Sequence, residues 1–283
     1  MPTQGSSSAD IQVTVVMSTR NRADTLPRAI DSVLGQDYPG IELVVIDDGS
    51  TDSTPEVLGK YCHDPRVTVL RNKNNQGLPA ALNRGIRESS GNFIARIDDD
   101  DFWHDTHKIS RQVAYMQQNP RSGIVGTGYT DEWGREIVNP ETDLAVRRQM
   151  LFRCPFCHPS VLIRREAIQQ AGGYDQSLPY AEDWELWLRI GQNWQLGNLP
   201  NISVTKELVD ASLSERHFLT QLDSAIDFAA KFSPHYPRAW RALAYHRLSR
   251  LFFAVFKPGS NPHLLLRRLY LRSFGLDSGS TSG

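Results

Sequence analysis

Four short apolar runs, each divided from the next by a helix-like stretch, constrain this chain more than any other feature of its sequence. "IQVTVVMS" (residues 11–18) carries the β-branched enrichment of a strand buried on both faces, and "IELVVI" (41–46), "RVTVL" (66–70) and "NFIARI" (92–97) follow it. Between the first two, Leu26, Ala29, Ile30, Val33 and Leu34 recur at i, i+3, i+4, i+7 and i+8, one apolar face of a helix. Thr54 and Pro55 then supply an N-cap and a proline at the first helical position, and residues 78–88 carry a third helical pattern. Strand and helix repeated in this order predict a parallel sheet with helices on both faces, because parallel neighbours need a long crossover connection.

After residue 101 the rhythm changes. An amphipathic helix is expected over about 105–118, then a strand in "GIVGTG", a turn at Trp133-Gly134, a strand in "SVLIR" (160–164) and a short helix in "AEDWELWLRI". Residues 213–256 read as helical, and Pro258 and Pro262 break that run. The 283 residues suffice for one large domain with an appendage. The expected division is a disordered lead-in over 1–10, an α/β domain over 11–204, a helical region over 205–257 and a basic amphipathic tail over 258–283.

Lysine plus arginine (31) nearly balances aspartate plus glutamate (32), and no nucleic-acid partner is expected. The distribution of charge says more. Residues 228–276 contain no acidic side chain, and their "HLLLRRLYLRSF" segment is apolar and basic together. Leu264 to Phe274 is therefore expected to lie on an anionic membrane surface, with Arg267, Arg268 and Arg272 near the headgroups. The opening "MPTQGSSSAD" lacks the features of a signal peptide, and no run of about 18 apolar residues exists to span a bilayer. With three cysteines, these features suggest a cytoplasmic protein, peripheral at the inner face of the membrane, in which the sequon at Asn201 has no role.

In open α/β sheets, ligands bind beyond the carboxyl ends of the strands. That rule selects "STRNRADT", "DDGSTDST" and the four aspartates Asp98, Asp99, Asp100 and Asp101. None of these loops carries a dinucleotide glycine fingerprint or a phosphate loop, so backbone cradling is not what neutralises a bound diphosphate; a divalent metal held by carboxylates could. At ~5 Å and an effective dielectric of ~20, two carboxylates repel by roughly 3 kcal/mol, so a partly buried cluster calls for a cation. In an extended segment Asp98 and Asp100 share one face, as a D-x-D unit, and Asp99 and Asp101 the other. The plain alternative is an acidic surface turn.

The blocks "VVMSTRNRADTLPRAIDSVLGQDYPGIELVVIDDGSTDST", "NNQGLPAALNRGI", "GNFIARIDDDDFW", "HPSVLIRREAI", "GGYD" and "AEDWELWLRI" stand in an order and spacing that resemble family 2 inverting glycosyltransferases of the GT-A fold, over about residues 13–190. The resemblance implies a nucleotide-sugar donor and a saccharide or lipid-linked acceptor in surface glycan synthesis, with Mn²⁺ or Mg²⁺ as cofactor. By position it implicates Ser18, Arg20 and Asp48 in holding the base and ribose, Asp98 at the ribose or metal-bound water, and Asp100 on the metal. Asp183 is the implied base that takes the acceptor hydroxyl's proton, its ionised form favoured by the helix dipole. Glu182 is its neighbouring rival, and Trp184 and His158 fall on the acceptor side.

Other readings compete. Asp48 could simply cap a turn in "DDGSTDST". "CPFCH" (154–158) matches redox and haem-attachment patterns, but two core-lining cysteines beside His158 is the favoured account. After Ser203 the chain offers "KELVDASLSERH" where the family has an arginine-histidine-serine pattern, which leaves acceptor recognition open. The rival activities are a nucleotidyltransferase acting on a sugar phosphate and a sugar-nucleotide-binding protein without catalysis.

Overall fold

The computed structural model describes residues 12–178, 180–207 and 218–255. Two compact units emerge, one formed by the described parts of Met1–Val146 and Phe156–Val209, the other by Arg147–Pro155 and the described part of Asp210–Gly283. The 1–10 lead-in and the Leu264 to Phe274 segment lie outside the described residues.

The first unit is built on a nine-stranded mixed sheet. Strands β1 (Val13–Thr19), β2 (Ile41–Asp47), β3 (Val67–Arg71) and β4 (Phe93–Arg96) are all parallel, in the spatial order β3-β2-β1-β4. Helices α1 (Leu26–Leu34), α2 (Thr54–Gly59) and α3 (Leu78–Arg87) connect them, each opened by a proline. On α1 the buried residues are Leu26, Ala29, Ile30 and Val33, the face its periodicity defines. Gly85 lets α3 approach the sheet closely, since a Cβ there would meet Ile46 Cδ1 and Val16 Cγ1 at 2.6 Å.

Beyond β4 the sheet stops being parallel. Strand β5 (Phe102–Trp103) is followed by α4 (Lys108–Gln118), β6 (Ser122–Thr130), β7 (Glu136–Ile137) and α5 (Asp143–Gln149). A 3₁₀ turn (His158–Ser160) leads into β8 (Leu162–Arg164), α6 (Arg165–Ala171), α7 (Glu182–Ile190) and β9 (Gln195–Thr205). Strand β8 runs antiparallel to both β4 and β6, β6 is parallel to β9, and β5 closes the edge antiparallel to β9. The expectation of a mostly parallel sheet therefore holds in the first half, while the second half is mixed. Strand β9 was not foreseen: Gly197, Asn198, Pro200 and Asn201 read as turn residues, and its register with β6 shifts at Pro200 and Asn201.

Helix α4 is pinned to the sheet by buried polar groups. The Lys108 ammonium lies 3.9 Å over the Trp103 ring and donates to Gln112 Oε1 at 2.9 Å. Gln112 Nε2 in turn donates to the carbonyls of Val125 (2.8 Å) and Ser160 (2.9 Å). Burial pushes the Lys108 pKa down to about 7, since the poor solvation of a charged ammonium there outweighs the charge of Asp105.

In the second unit the expected helical run is divided into α8 (Phe218–Lys231) and α9 (Ala239–Val255). Pro234 and Pro237 fall in the break, where Arg238 takes a left-handed φ of 62°. Leu222, Ala225, Phe228, Ala229 and Phe232 are buried, as are Ala242, His246 and Phe253 of α9. His246 Nε2 pairs with the Leu151 carbonyl at 2.8 Å, and Arg250 with Asp223 at 2.6 Å. No helix among the described residues is long and apolar enough to cross a membrane.

Candidate active site

The strand tips of the parallel half carry the loops that sequence singles out, and local hydrogen bonds fasten them to one another. After β1, Asn21 adopts φ 55°; its N–H donates to Ser50 Oγ at 3.1 Å and its Oδ1 accepts from Thr51 N at 2.8 Å. The Arg22 N–H donates to Thr54 Oγ1 at 3.0 Å, so the first loop is tied to the second. Ser18 is half-buried near the end of β1 and Arg20 is exposed. Arg22 is the side chain that turns to the aspartates, with Nε 4.0 Å from Asp99 Oδ1 and Nη2 3.9 Å from Asp100 Oδ2.

Asp48 is buried and already saturated. Its Oδ1 accepts from Asn72 Nδ2 at 2.7 Å and Gln76 N at 2.9 Å, and its Oδ2 from Gly77 N at 2.9 Å and Gln76 N at 3.1 Å. A carboxylate offers about four acceptor positions. Asp48 thus organises the loop that opens α3, and a donor base reaching it would have to displace one of those amides.

The four aspartates do not alternate cleanly. The chain bends at Asp99 and Asp100, so one guanidinium, Arg22, reaches both, whereas extended geometry would send them to opposite faces. Asp98 instead pairs with Arg96, two residues earlier on the same face and only 1% exposed. Burial alone would raise the Asp98 pKa, but Arg96 draws it below the ordinary carboxylate range. Burial and the neighbouring carboxylates push Asp99 up to about 6 and Asp100 upward as well. Asp101 is raised furthest by burial; its Oδ1 accepts from the Glu207 N–H at 3.2 Å, and its Oδ2 has no hydrogen-bond partner among the described residues. Lys206, at the end of β9, is held above its usual value because acidic groups facing it, Asp101 and Asp98 among them, outweigh its burial.

A second pair of carboxylates sits at the start of α7. Ala181 takes a left-handed φ of 60°, and Asp183 in the first turn accepts from the Trp184 N–H at 2.7 Å. The helix dipole was expected to favour the ionised form of Asp183, able to accept a proton. Against that pull, burial raises its pKa, and the negative charge of Asp98 adds to the effect. Burial and Asp183 push Glu182 up to about 7. Behind them Trp187 is fully buried, with Phe156, His158 and Tyr174 rings against it at centroid distances of 6.3, 5.9 and 6.4 Å. His158 Nε2 lies 2.9 Å from the Tyr174 hydroxyl, and burial with the nearby Arg96 lowers its pKa to about 3, which keeps the ring neutral. Tyr174 is held in turn by Asn83, which accepts from its N–H and donates to its carbonyl, both at 2.8 Å. Trp184 is buried, packed within the helix's inner face.

The family model for glycosyl transferase family 2 matches residues 14–172, more than half of the chain. The chain belongs to glycosyl transferase family 2. Its relatives include the putative glycosyltransferase EpsE of Bacillus subtilis, 31% identical over 76% of this chain and 80% of that one. A second is the Escherichia coli UDP-Glc:alpha-D-GlcNAc-diphosphoundecaprenol beta-1,3-glucosyltransferase WfaP, 29% identical over 63% of this chain and 69% of that one. Among solved structures, Staphylococcus aureus TarS 1–349 in complex with UDP-GlcNAc aligns with a TM-score of 0.68 at 18% identity, over 94% of this chain and 84% of that one. The mannosyltransferase PcManGT from Pyrobaculum calidifontis, in complex with GDP-Man and Mn²⁺, aligns with a TM-score of 0.65 at 18% identity and the same coverage. These likenesses establish the GT-A-like fold.

In this glycosyltransferase, then, Asp98 exerts its charge on Asp183 and Glu182, so the D-x-D tip and the helix start share one electrostatic environment. Arg22, Arg96, Lys206 and Tyr174 were not singled out from sequence. Arg96 had a signal, a lone cation in an apolar run two positions before Asp98; Arg22 had none, because a loop has no periodicity to say which arginine turns inward. Neither Cys154 nor Cys157 takes part in a disulfide among the described residues, and burial pushes the Cys157 thiol well up, so it stays protonated.

No group of three or more His, Cys, Asp or Glu side chains among the described residues is arranged to enclose a metal ion. What is present is a set of hard oxygen donors in which the long Arg22 contact, the charge of Lys206 and a backbone hydrogen bond do not fully offset the burial of Asp100 and its repulsion by Asp98. That set fits a cation of the Mg²⁺ or Mn²⁺ kind, which takes one or two carboxylates and completes its shell with substrate phosphates and water. Asp100, with Asp98, would hold it.

Proposed function

We propose that this family 2 glycosyltransferase moves a sugar from a nucleoside diphosphate to an acceptor hydroxyl with inversion at the anomeric carbon. The acceptor is a saccharide or lipid-linked glycan, as in the chemistry named for WfaP, in the assembly of a surface polysaccharide. The observation that carries the reading is the link between two carboxylate groups, the Asp98–Asp100 tip and the Glu182–Asp183 pair: the charge of Asp98 raises the pKa of both Glu182 and Asp183.

A divalent cation bound at Asp100 would supply positive charge to the departing diphosphate. Arg22 adds a fixed cation on the same side, and the first two loops shape the nucleotide end through Ser18 and Arg20, with Asp48 holding the loop at Gln76 and Gly77. Asp183 accepts the proton of the attacking hydroxyl. Its raised pKa suits that task, since a base titrating nearer neutrality holds the proton better once it has accepted it. Neutral His158, fixed by Tyr174, lies on the acceptor side with Glu182 and Trp184. The work is expected at the inner face of the membrane, where a lipid-linked acceptor resides.

A panel of nucleotide sugars, screened by Mn²⁺-dependent rise in melting temperature and then by product analysis, tests the proposal. The expected result is one stabilising donor and release of its nucleoside diphosphate on adding acceptor. Release of pyrophosphate would instead establish the nucleotidyltransferase reading, and binding without turnover of any acceptor would leave a non-catalytic sugar-nucleotide binder.

A further inference from the structure

Helix α9 is apolar on two sides. Its inner side carries the buried Ala242, His246 and Phe253. At 3.6 residues per turn, Trp240, Ala244, Leu248 and Leu251 fall within about 80° of one another on the opposite side. There Trp240 is 71% exposed, Leu248 68% and Leu251 64%. Single exposed apolar residues need no explanation, but a tryptophan and two leucines in one stripe do.

The charges on that stripe say what could cover it. Arg241 and Arg247 are exposed beside the apolar residues, and the Arg241 guanidinium lies 5.2 Å from the centre of the Trp240 ring. The nearest basic neighbour with a carboxylate partner is Arg250, which is taken by Asp223. No acidic residue occurs from 228 to 255, so the stripe has nothing of its own to receive the two arginines. A second copy docked on it about a two-fold axis would set like charges against like. A negatively charged lipid surface meets both demands: phosphate headgroups pair with arginine, and the interface is where tryptophan and leucine lie together on a helix parallel to the membrane.

We infer that the Trp240–Leu251 face of α9 docks on anionic phospholipid, a contact separate from the basic tail and independent of sugar transfer. Co-sedimentation of the full chain with phosphatidylcholine vesicles, with and without 30 mol% (about a typical anionic fraction) phosphatidylglycerol, tests it. The wild-type chain is expected to bind the anionic vesicles and lose binding in high salt. The triple variant Trp240→Ser, Leu248→Ser, Leu251→Ser should lower the partition coefficient by about 30-fold or more. Arg241→Gln with Arg247→Gln should lower it by about 25-fold on anionic vesicles alone, at about fivefold per arginine. Because these side chains are exposed, melting temperature and nucleoside diphosphate release with a water-soluble acceptor should be unchanged. Quenching of tryptophan fluorescence by brominated lipid should fall in Trp240→Phe. The inference is overturned if the triple variant binds as the wild type does, which would put any binding on other segments, or if the wild type ignores anionic vesicles. It is equally overturned if the triple variant converts a dimer to a monomer in sedimentation without altering vesicle binding.

Discussion

The aspartates at the tip of β4 and the acidic pair at the start of α7 are treated in opposite ways by the same unit. Around Asp98, Asp99, Asp100 and Asp101 the fold places Arg22, Arg96 and Lys206. Neither Glu182 nor Asp183 forms an ion pair among the described residues; burial and the charge of Asp98 act on them instead. The first group is a partly neutralised anion cluster that still has a carboxylate, Asp100, short of compensation. The second, in which we propose the proton acceptor, is kept from ionising easily. Charge balance, more than residue type, separates the two duties.

The sharpest way to break that contrast is at the proton acceptor. Asp183→Asn should lower turnover by about 10³-fold while donor-induced stabilisation persists, because an amide keeps the helix-start geometry but cannot take the proton. Turnover within a few-fold of wild type would erase the distinction. At the anion cluster, Asp100→Asn should lower turnover by about 10²-fold and remove its response to added divalent cation, as read by a metal titration. Asp99→Asn should do much less, and equal losses would show that the four aspartates act as one patch.

Subtler effects follow from the raised pKa values. Removing the charge of Asp98 by Asp98→Asn lowers the pKa of Asp183, so the acid limb of the residual kcat/KM profile should move to lower pH. An unmoved limb would mean that the charge of Asp98 does not act on Asp183. For Asp99, the folded carboxyl titrates at about 6 against 3.8 ordinarily, so the folded state binds more protons between those values and stability falls as pH rises through them. Asp99→Asn escapes that loss. Urea denaturation should find the variant more stable by about 1–2 kcal/mol at pH 7.5 and little different at pH 3.5.

The two halves of the sheet were unequally readable. In the parallel half, period and turn chemistry agree: Leu26, Ala29, Ile30 and Val33 mark a helix face, and the prolines mark helix starts. In the mixed half, β9 hides behind residues that read as turn signals, and β5 is only Phe102 and Trp103. The candidate site divides in the same manner. Carboxylates stood out because they cluster in sequence. Of their counter-charges, Arg96 stands two positions before Asp98, while Arg22 and Lys206 come from distant elements that only the folded chain brings together. The upward pull on the pKa of Asp183 was not legible for a related reason: the helix dipole is visible in a sequence, while burial and the charge of Asp98 are not.

Gly85 touches none of this chemistry, yet α3 rests on β1 and β2 through it. The same helix begins at Gly77, whose amide is held by Asp48. Any side chain at position 85 would lift the helix and drag at that amide. Selection in the laboratory for altered donor preference should therefore recover substitutions at Gly85, and their partners at Val16 and Ile46, which retune the nucleotide end from within the core without a single atom near the sugar.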